Sequence, residues 1–268
     1  MNLIAIDLDG TALDSSGKLT KTVAQAIQQR AQNKNYKFAF CSGRPMSGVF
    51  SHAMAAGIST EYHVVANGAM VQNGRGARIV EELLAFSAYQ ELTAFCRENK
   101  LTCIAVDDQG ATTSFSSINL GTLEFCFLTN TRLEVRPIEE VAADEKYSKL
   151  LICDNPDIIK QNKSMIEKHF SKRYSCVQGY PTMIEFAKKN VDKGSSLSKL
   201  AQYYRLSDNQ VFVIGDNGND LSSFKRFSQS IAMGNATDEL KQVAKWHCPT
   251  NDEDGVVRAL EMIDDFIT

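Results

Sequence analysis

The sequence predicts an α/β core with a mostly parallel sheet, interrupted by one inserted α+β unit. Three observations carry that expectation. Short apolar runs at residues 3–8, 36–41, 63–66 and 211–214 each enter a polar, turn-forming segment, as buried parallel strands do. Helical patterns lie between them, and this strand–helix alternation implies right-handed crossovers. Between residues 84 and 187 the alternation stops, and it resumes after Lys193.

The elements follow in order. The first strand, residues 3–8, runs into Asp7-Leu8-Asp9-Gly10-Thr11. Thr20 is placed to cap a helix carrying Val23, Ala24, Ile27 and Ala31 on one face. Residues 36–41 form a second strand ending in Ser42-Gly43-Arg44-Pro45; a helix through Val49, Ala53 and Ala56 follows, and Gly57 stops it. Residues 63–66 read as a third strand running into Asn67-Gly68. In the insertion, a helix at 87–99 and a strand at 102–106 precede a weakly patterned Ser/Thr-rich stretch, 112–122. Strands at 147–153 and 182–186 flank a helix at 157–170. The core then resumes with a helix at 195–204, a strand at 211–214 ending in Gly215-Asp216, and an apolar run at 230–233. A helix from Asp238, a short strand holding Trp246 as a core residue, and a helix from Asp254 close the chain. The expected domains are a discontinuous core, residues 1–83 and 188–268, and an inserted domain, residues 84–187.

Composition narrows the function classes. Lys+Arg total 29 against 32 for Asp+Glu in 268 residues, a formal net charge of -3. Neither a nucleic-acid footprint nor a membrane surface is indicated, so an anionic ligand must be held by local groups. No apolar stretch approaches the roughly 18 residues of a spanning helix. The apolar N-terminus meets Asp7 too early for a signal peptide. Seven cysteines show neither CxxC pairs nor zinc-ligand spacing, which suits buried thiols in a reducing compartment. A cytoplasmic location is expected, and the oligomeric state is unread.

Ligands of open parallel sheets bind beyond the carboxyl ends of the strands. Asp7 with Asp9, Ser42, Asn67 and Asp216 all stand at such ends. Residues two apart on an extended segment face one side, so both Asp7 and Asp9 are expected to aim at one site. Their mutual repulsion calls for a cation, and Mg²⁺ prefers such oxygens. A lone DxDG is an ordinary turn; its coincidence with the other strand ends is what matters. Ser42 and the Gly43 turn offer hydroxyl and N–H donors to phosphate oxygens, or simply a turn before a helix that tolerates Pro45. A Cys41 thiolate with Arg44 is a weak competitor, because the loop between them is too short to cradle a phosphate and no activating His is near. Lys193 could neutralise a phosphoryl group as a point charge, but Lys188 and Lys189 are neighbours and the pattern does not choose. Asp220 either caps the next helix or serves as an outer carboxylate. His52, His63, His169 and His247 show no ligand or triad spacing.

Taken together, Asp7-Leu8-Asp9-Gly10-Thr11, Cys41-Ser42-Gly43-Arg44, Asp192-Lys193-Gly194 and Gly215-Asp216-Asn217-Gly218-Asn219-Asp220 resemble, in order, the four motifs of the haloacid dehalogenase superfamily. Within it they look like the Cof-type phosphatases, the subfamily with a large inserted α/β cap. ANGA at 66–69, AMGNA at 232–236 and NDEDGV at 251–256 are further similarities. The resemblance covers the core, whereas the cap matches by size and position.

That resemblance implies a Rossmann-like core and Mg²⁺-dependent hydrolysis of small phosphorylated metabolites, sugar phosphates or similar monoesters, through an aspartyl-phosphate. Asp7 would be the nucleophile and Asp9 the general acid and base. Leu8, Ser42 and Gly43 would bind phosphoryl oxygens, with Lys193 and Asn219 assisting. Asp7, the Asp9 carbonyl and Asp216 would hold Mg²⁺, with Asp220 supporting that shell. The resemblance also selects Lys193 over Lys188 and Lys189. Departures are Thr11-Ala12-Leu13 for the usual Thr-Leu-Leu, and Leu221-Ser222-Ser223-Phe224 for a more apolar segment, which alters packing behind Asp220. A phosphomutase is the alternative enzyme, but it would need a second phosphate site, and the insertion has no concentrated Arg cluster. Dehalogenation would leave Asp9 without a role. A non-enzymatic phospho-acceptor module, similar to response-regulator receivers, is disfavoured by the long insertion.

Overall fold

The structure is a computed structural model that describes residues 1–108, 110–116, 118–129 and 131–267. The N-terminal elements are β1 (Asn2–Ile6), α1 (Lys21–Ala31), β2 (Tyr36–Phe40), α2 (Met46–Ala55), β3 (Tyr62–Val65), β4 (Met70–Asn73) and β5 (Arg78–Glu81). The inserted segment contributes β6 (Leu84–Ala85), α3 (Phe86–Glu98), β7 (Cys103–Val106), β8 (Ala111–Thr113), α4 (Leu120–Thr129) and β9 (Leu133–Val135). It continues with β10 (Lys146–Tyr147), β11 (Lys149–Cys153), α5 (Pro156–Phe170), β12 (Tyr174–Tyr180) and β13 (Met183–Lys188). The C-terminal elements are α6 (Lys193–Tyr203), β14 (Val211–Gly215), α7 (Leu221–Arg226), β15 (Gln229–Ala232), α8 (Asp238–Val243), β16 (Trp246–His247) and α9 (Gly255–Ile267). These elements form two compact units, one of Met1–Glu81 with Asp192–Thr268, the other of Glu82–Val191.

In the first unit a five-stranded parallel sheet runs in the order β16-β15-β14-β1-β2. β1 lies between β14 and β2, and Leu3, Ile4, Ala5 and Ile6 are fully buried. A strand covered on both faces needs an unbroken apolar run rather than an alternation, which is why its pattern is legible. β1 ends at Ile6, two residues before the expected end, because the chain enters a tight helical turn over Leu8–Ala12.

The third expected strand behaves differently. β3 joins the parallel sheet at a Cys41–Val64 bridge and pairs antiparallel with β4, which pairs with β5. No element was expected at β4 or β5. Three successive positive φ angles, at Ala66, Asn67 and Gly68, reverse the chain there, a device the apolar pattern does not encode. Trp246 is half-buried at the sheet edge, its ring 5.2 Å from that of Phe266, rather than fully in the core.

The second unit is a six-stranded sheet, β12-β13-β11-β7-β8-β9, antiparallel except between β8 and β9. Alternation puts Cys103, Ala105, Leu150, Ile152, Ile184 and Phe186 against α3 and α5. Ile104, Val106, Leu151, Cys153 and Met183 pack with Phe125 of α4 on the other face. Apart from Ser117, which lies outside the described residues, the Ser/Thr-rich stretch holds three-residue β8 and the start of α4. The expected strand at 147–153 is broken at Ser148, whose N–H and hydroxyl both donate to the Val106 carbonyl at 2.8 and 3.0 Å. β12 was not expected; it is a bulged edge strand, where apolar alternation is not required.

All seven cysteines are unpaired. Among the described residues no helix is long and apolar enough to cross a membrane.

Candidate active site

Strand order places the first acidic pair. β1 and β14 are parallel neighbours, and the Asp7 N–H donates to the Ile214 carbonyl at 3.0 Å, so the chains leave the sheet side by side toward Asp7 and Asp216. Gly10, at φ 76°, turns the first chain back; a Cβ there would stand 2.4 Å from Asp216 Oδ2. Only glycine combines that conformation with that approach. The Thr11 hydroxyl then donates to Asp216 Oδ1 at 3.0 Å, a buried contact, and Asn235 Nδ2 donates to the Gly10 carbonyl at 2.8 Å.

α6 brings in the cation. Asp192 caps it, accepting from the Ser195 N–H at 2.7 Å while its own N–H donates to Ser195 Oγ at 3.0 Å. Ser222 Oγ accepts from the Gly194 N–H at 3.1 Å, so one residue of the departing Leu221-Ser222-Ser223-Phe224 segment is a tether for this helix start. Lys193, the first residue of α6, is 1% exposed, and its Nζ lies 2.7 Å from Asp7 Oδ1 and 2.7 Å from Asp220 Oδ1. Lys188 and Lys189 are exposed, and Lys188 pairs with Glu82. Geometry alone therefore selects Lys193.

Asp220 stands at the N-cap of α7, where its side chain makes no cap hydrogen bond. Its Oδ2 accepts from the N–H groups of Asp216 and Asn217 at 3.1 and 3.2 Å, closing its own turn, while Oδ1 takes Lys193. Asp7, Asp216 and Asp220 each offer a carboxylate oxygen, all within 4.8 Å of one another. Three carboxylates face one ammonium, an excess of negative charge. Burial holds Asp7 well above the ordinary carboxylate range; Lys193 opposes this, and the charges of Asp220 and Asp216 reinforce it. Burial, then the Asp220 charge, pushes Asp216 up to about 6. Burial by itself lowers Lys193, but Asp220 and Asp7 more than reverse this and keep the ammonium protonated. The surplus charge resides on the carboxylates, which suits a hard divalent cation.

The Asp9 carboxylate is not brought into this cluster, contrary to the expectation from alternation. Because β1 has ended, Asp9 lies in the turn with its side chain 56% exposed. It accepts from Arg44 Nε at 2.9 Å and Nη2 at 2.5 Å. Ser42 is buried; its N–H is taken by the Val64 carbonyl at 2.9 Å, and its Oγ accepts from the Arg44 N–H at 3.1 Å. The hydroxyl, not that N–H, is what it can offer a ligand. The Leu8 side chain is fully buried, so only its backbone can face one. Asn67 lies over Gly43, where a Cβ would be 3.0 Å from Asn67 Oδ1, and Asn219 Nδ2 donates to that same Oδ1 at 3.3 Å. The Cys41 thiol is buried and pushed far up by desolvation, which removes the thiolate reading. His63 is buried, lowered to about 4 by desolvation, and bonded to the Phe40 N–H and the Ile58 carbonyl, a structural role.

Thr11, Asn67, Arg44 and Ser222 are the partners that sequence reasoning left without a firm role. Each lay inside a stretch already singled out, but its contact is with a distant part of the chain.

Comparison with known proteins places this geometry. A family model for haloacid dehalogenase-like hydrolases matches residues 4–260. The chain is 31% identical to "Putative phosphatase YxeH" of Bacillus subtilis over 261 residues, 96% of each protein. A similarly named Streptococcus pyogenes protein is 30% identical over 263 residues, 97% of each. The crystal structure of a haloacid dehalogenase-like hydrolase from Bacteroides thetaiotaomicron superposes with a TM-score of 0.88 at 25% identity, covering 98% of this chain and 99% of that one. The chain belongs to the haloacid dehalogenase-like hydrolase family.

Proposed function

We propose that the protein is a Mg²⁺-dependent phosphatase of small phosphate monoesters, working through an aspartyl-phosphate on Asp7. The observation that carries this reading is the buried set in which Lys193 spans Asp7 and Asp220 at 2.7 Å each, with Asp216 within metal-sharing distance. The relatives named phosphatase support the reaction class. Asp7, Asp216 and the Asp9 carbonyl are the proposed ligands, and Asp220 orients the set. Mg²⁺ bound there would offset the carboxylate surplus and polarise a phosphoryl oxygen.

The chain's own residues divide the work. The Asp7 carboxylate attacks phosphorus, and the leaving alcohol takes a proton from the Asp9 carboxyl. Asp9, now ionised, accepts a proton from the water that hydrolyses the aspartyl-phosphate and is ready again. Lys193 balances charge on the transferring group, the main demand of phosphoryl transfer. The Ser42 hydroxyl, the Gly43 and Leu8 backbone and Asn219 hold the phosphoryl oxygens. Glu82–Val191 is assigned as the cap that selects among substrates.

Phosphate release from p-nitrophenyl phosphate tests the reading. Wild type with Mg²⁺ should turn over, and EDTA or Asp7→Asn should abolish release. Full activity of Asp7→Asn would remove Asp7 as nucleophile, and indifference to EDTA would remove the metal.

A further inference from the structure

Asn67 stands at the junction of three segments already placed around the site. Its N–H donates to the Ser42 carbonyl at 3.0 Å, and its carboxamide lies over the Gly43 Cα. Asn219 Nδ2 donates to its Oδ1 at 3.3 Å. The next residue, Gly68, abuts the start of α6: a Cβ there would stand 2.2 Å from the Asp192 carbonyl oxygen, and Ser196 Oγ donates to the Gly68 carbonyl at 2.6 Å.

The backbone that holds this junction is unusual. Ala66 and Asn67 have φ of 51° and 53°, left-handed values that cost most L residues on the order of 1 kcal/mol each. Strain of this kind persists where the surroundings over-determine it. The Ala66 N–H donates to the Arg44 carbonyl at 2.8 Å, so the strained turn is pinned on both sides. With Oδ1 occupied by Asn219, the Nδ2 hydrogens donate to no group among the described residues. A carboxamide is thus oriented with its acceptor face engaged and its donor face open, between Gly43 and Asn219.

We propose that Asn67 is a further phosphoryl-binding residue, donating from Nδ2 to an oxygen of the bound phosphate and holding Asn219 in register. The inference rests on the phosphatase reading and adds a ligand to that site.

Glycine and aspartate at this position separate binding from folding. Asn67→Gly removes the carboxamide while accepting a positive φ without strain. Asn67→Asp keeps an acceptor for Asn219 and replaces the donor by an anion. The readouts are the dissociation constant of inorganic phosphate, measured calorimetrically with Mg²⁺, the steady-state constants for p-nitrophenyl phosphate, and Tm. Asn67→Gly is expected to keep or raise Tm, weaken phosphate binding about tenfold or more, and raise KM more than it lowers kcat. Asn67→Asp is expected to weaken phosphate further. Phosphate binding by Asn67→Gly equal to wild type, or by Asn67→Asp as tight as wild type, would overturn the assignment. A loss of affinity accompanied by an equivalent loss of Tm would also overturn it, as a structural role. Failure of wild type itself to turn over phosphate monoesters would instead defeat the phosphatase reading.

Discussion

Arg44 holds Asp9 side-on, Nε to Oδ2 at 2.9 Å and Nη2 to Oδ1 at 2.5 Å, and so ties the turn after β1 to the loop after β2. This is a charge-assisted, bidentate pair, but both partners reach solvent, with side-chain exposures of 22% and 56%. Its net contribution to stability is therefore small, below about 1 kcal/mol.

Asp9 and Arg44 should accordingly separate in their effects. Asp9→Asn is expected to reduce kcat for alkyl phosphates by about 10²- to 10⁴-fold, and less for p-nitrophenyl phosphate, whose leaving group needs little protonation. Arg44→Ala should leave the urea midpoint nearly unchanged. A large stability loss in Arg44→Ala would mean that the pair is structural, and equal losses for both leaving groups in Asp9→Asn would deny Asp9 the acid role.

The buried ion set predicts opposite stability effects for its two signs of charge. Lys193→Met leaves Asp7 and Asp220 buried without their cation, and should destabilise by about 3–5 kcal/mol. Asp7→Asn removes one of three crowded carboxylates while Lys193 keeps Asp220, so metal-free stability should hold or rise as turnover is lost. Urea denaturation in EDTA reads both; a marked loss in Asp7→Asn would show that the carboxylates are not in excess.

The same crowding has a pH signature. The folded Asp216 carboxyl titrates at about 6, above its usual range, so between about pH 4 and 6 this group is more protonated in the native state than in the unfolded chain. The Asp216 contribution to metal-free stability should fall as pH rises through that window, since stability rises with pH only where the unfolded state binds more protons. The buried Asp7, also raised, acts in the same direction. Mg²⁺ should flatten the slope. Thermal melts of wild type and Asp216→Asn from pH 4 to 7, with EDTA and with Mg²⁺, test this, and a metal-free profile that falls no more steeply with pH in wild type than in Asp216→Asn would contradict the crowded-carboxylate account.

What the sequence determined by itself was the parallel core and the strand ends that carry Asp7, Ser42 and Asp216. Strands buried on both faces must be continuously apolar, and the residues that stop them must be polar, so both signals are local. Tertiary structure decided the rest. Local pattern does not separate Lys193 from Lys188 and Lys189, which only the family resemblance distinguished, and it is the capped start of α6 that carries Lys193 between Asp7 and Asp220. Asp7 and Asp9 share an alternation that would aim them together, yet the turn at Leu8–Ala12 buries one and gives the other to Arg44. Asn67 lies in a stretch whose likeness to the family was visible without a role, because its role depends on a left-handed backbone and a partner 152 residues away. Periodicity reports which face a residue takes within its own element. The meeting of charges across elements is set by where turns end and which strands become neighbours.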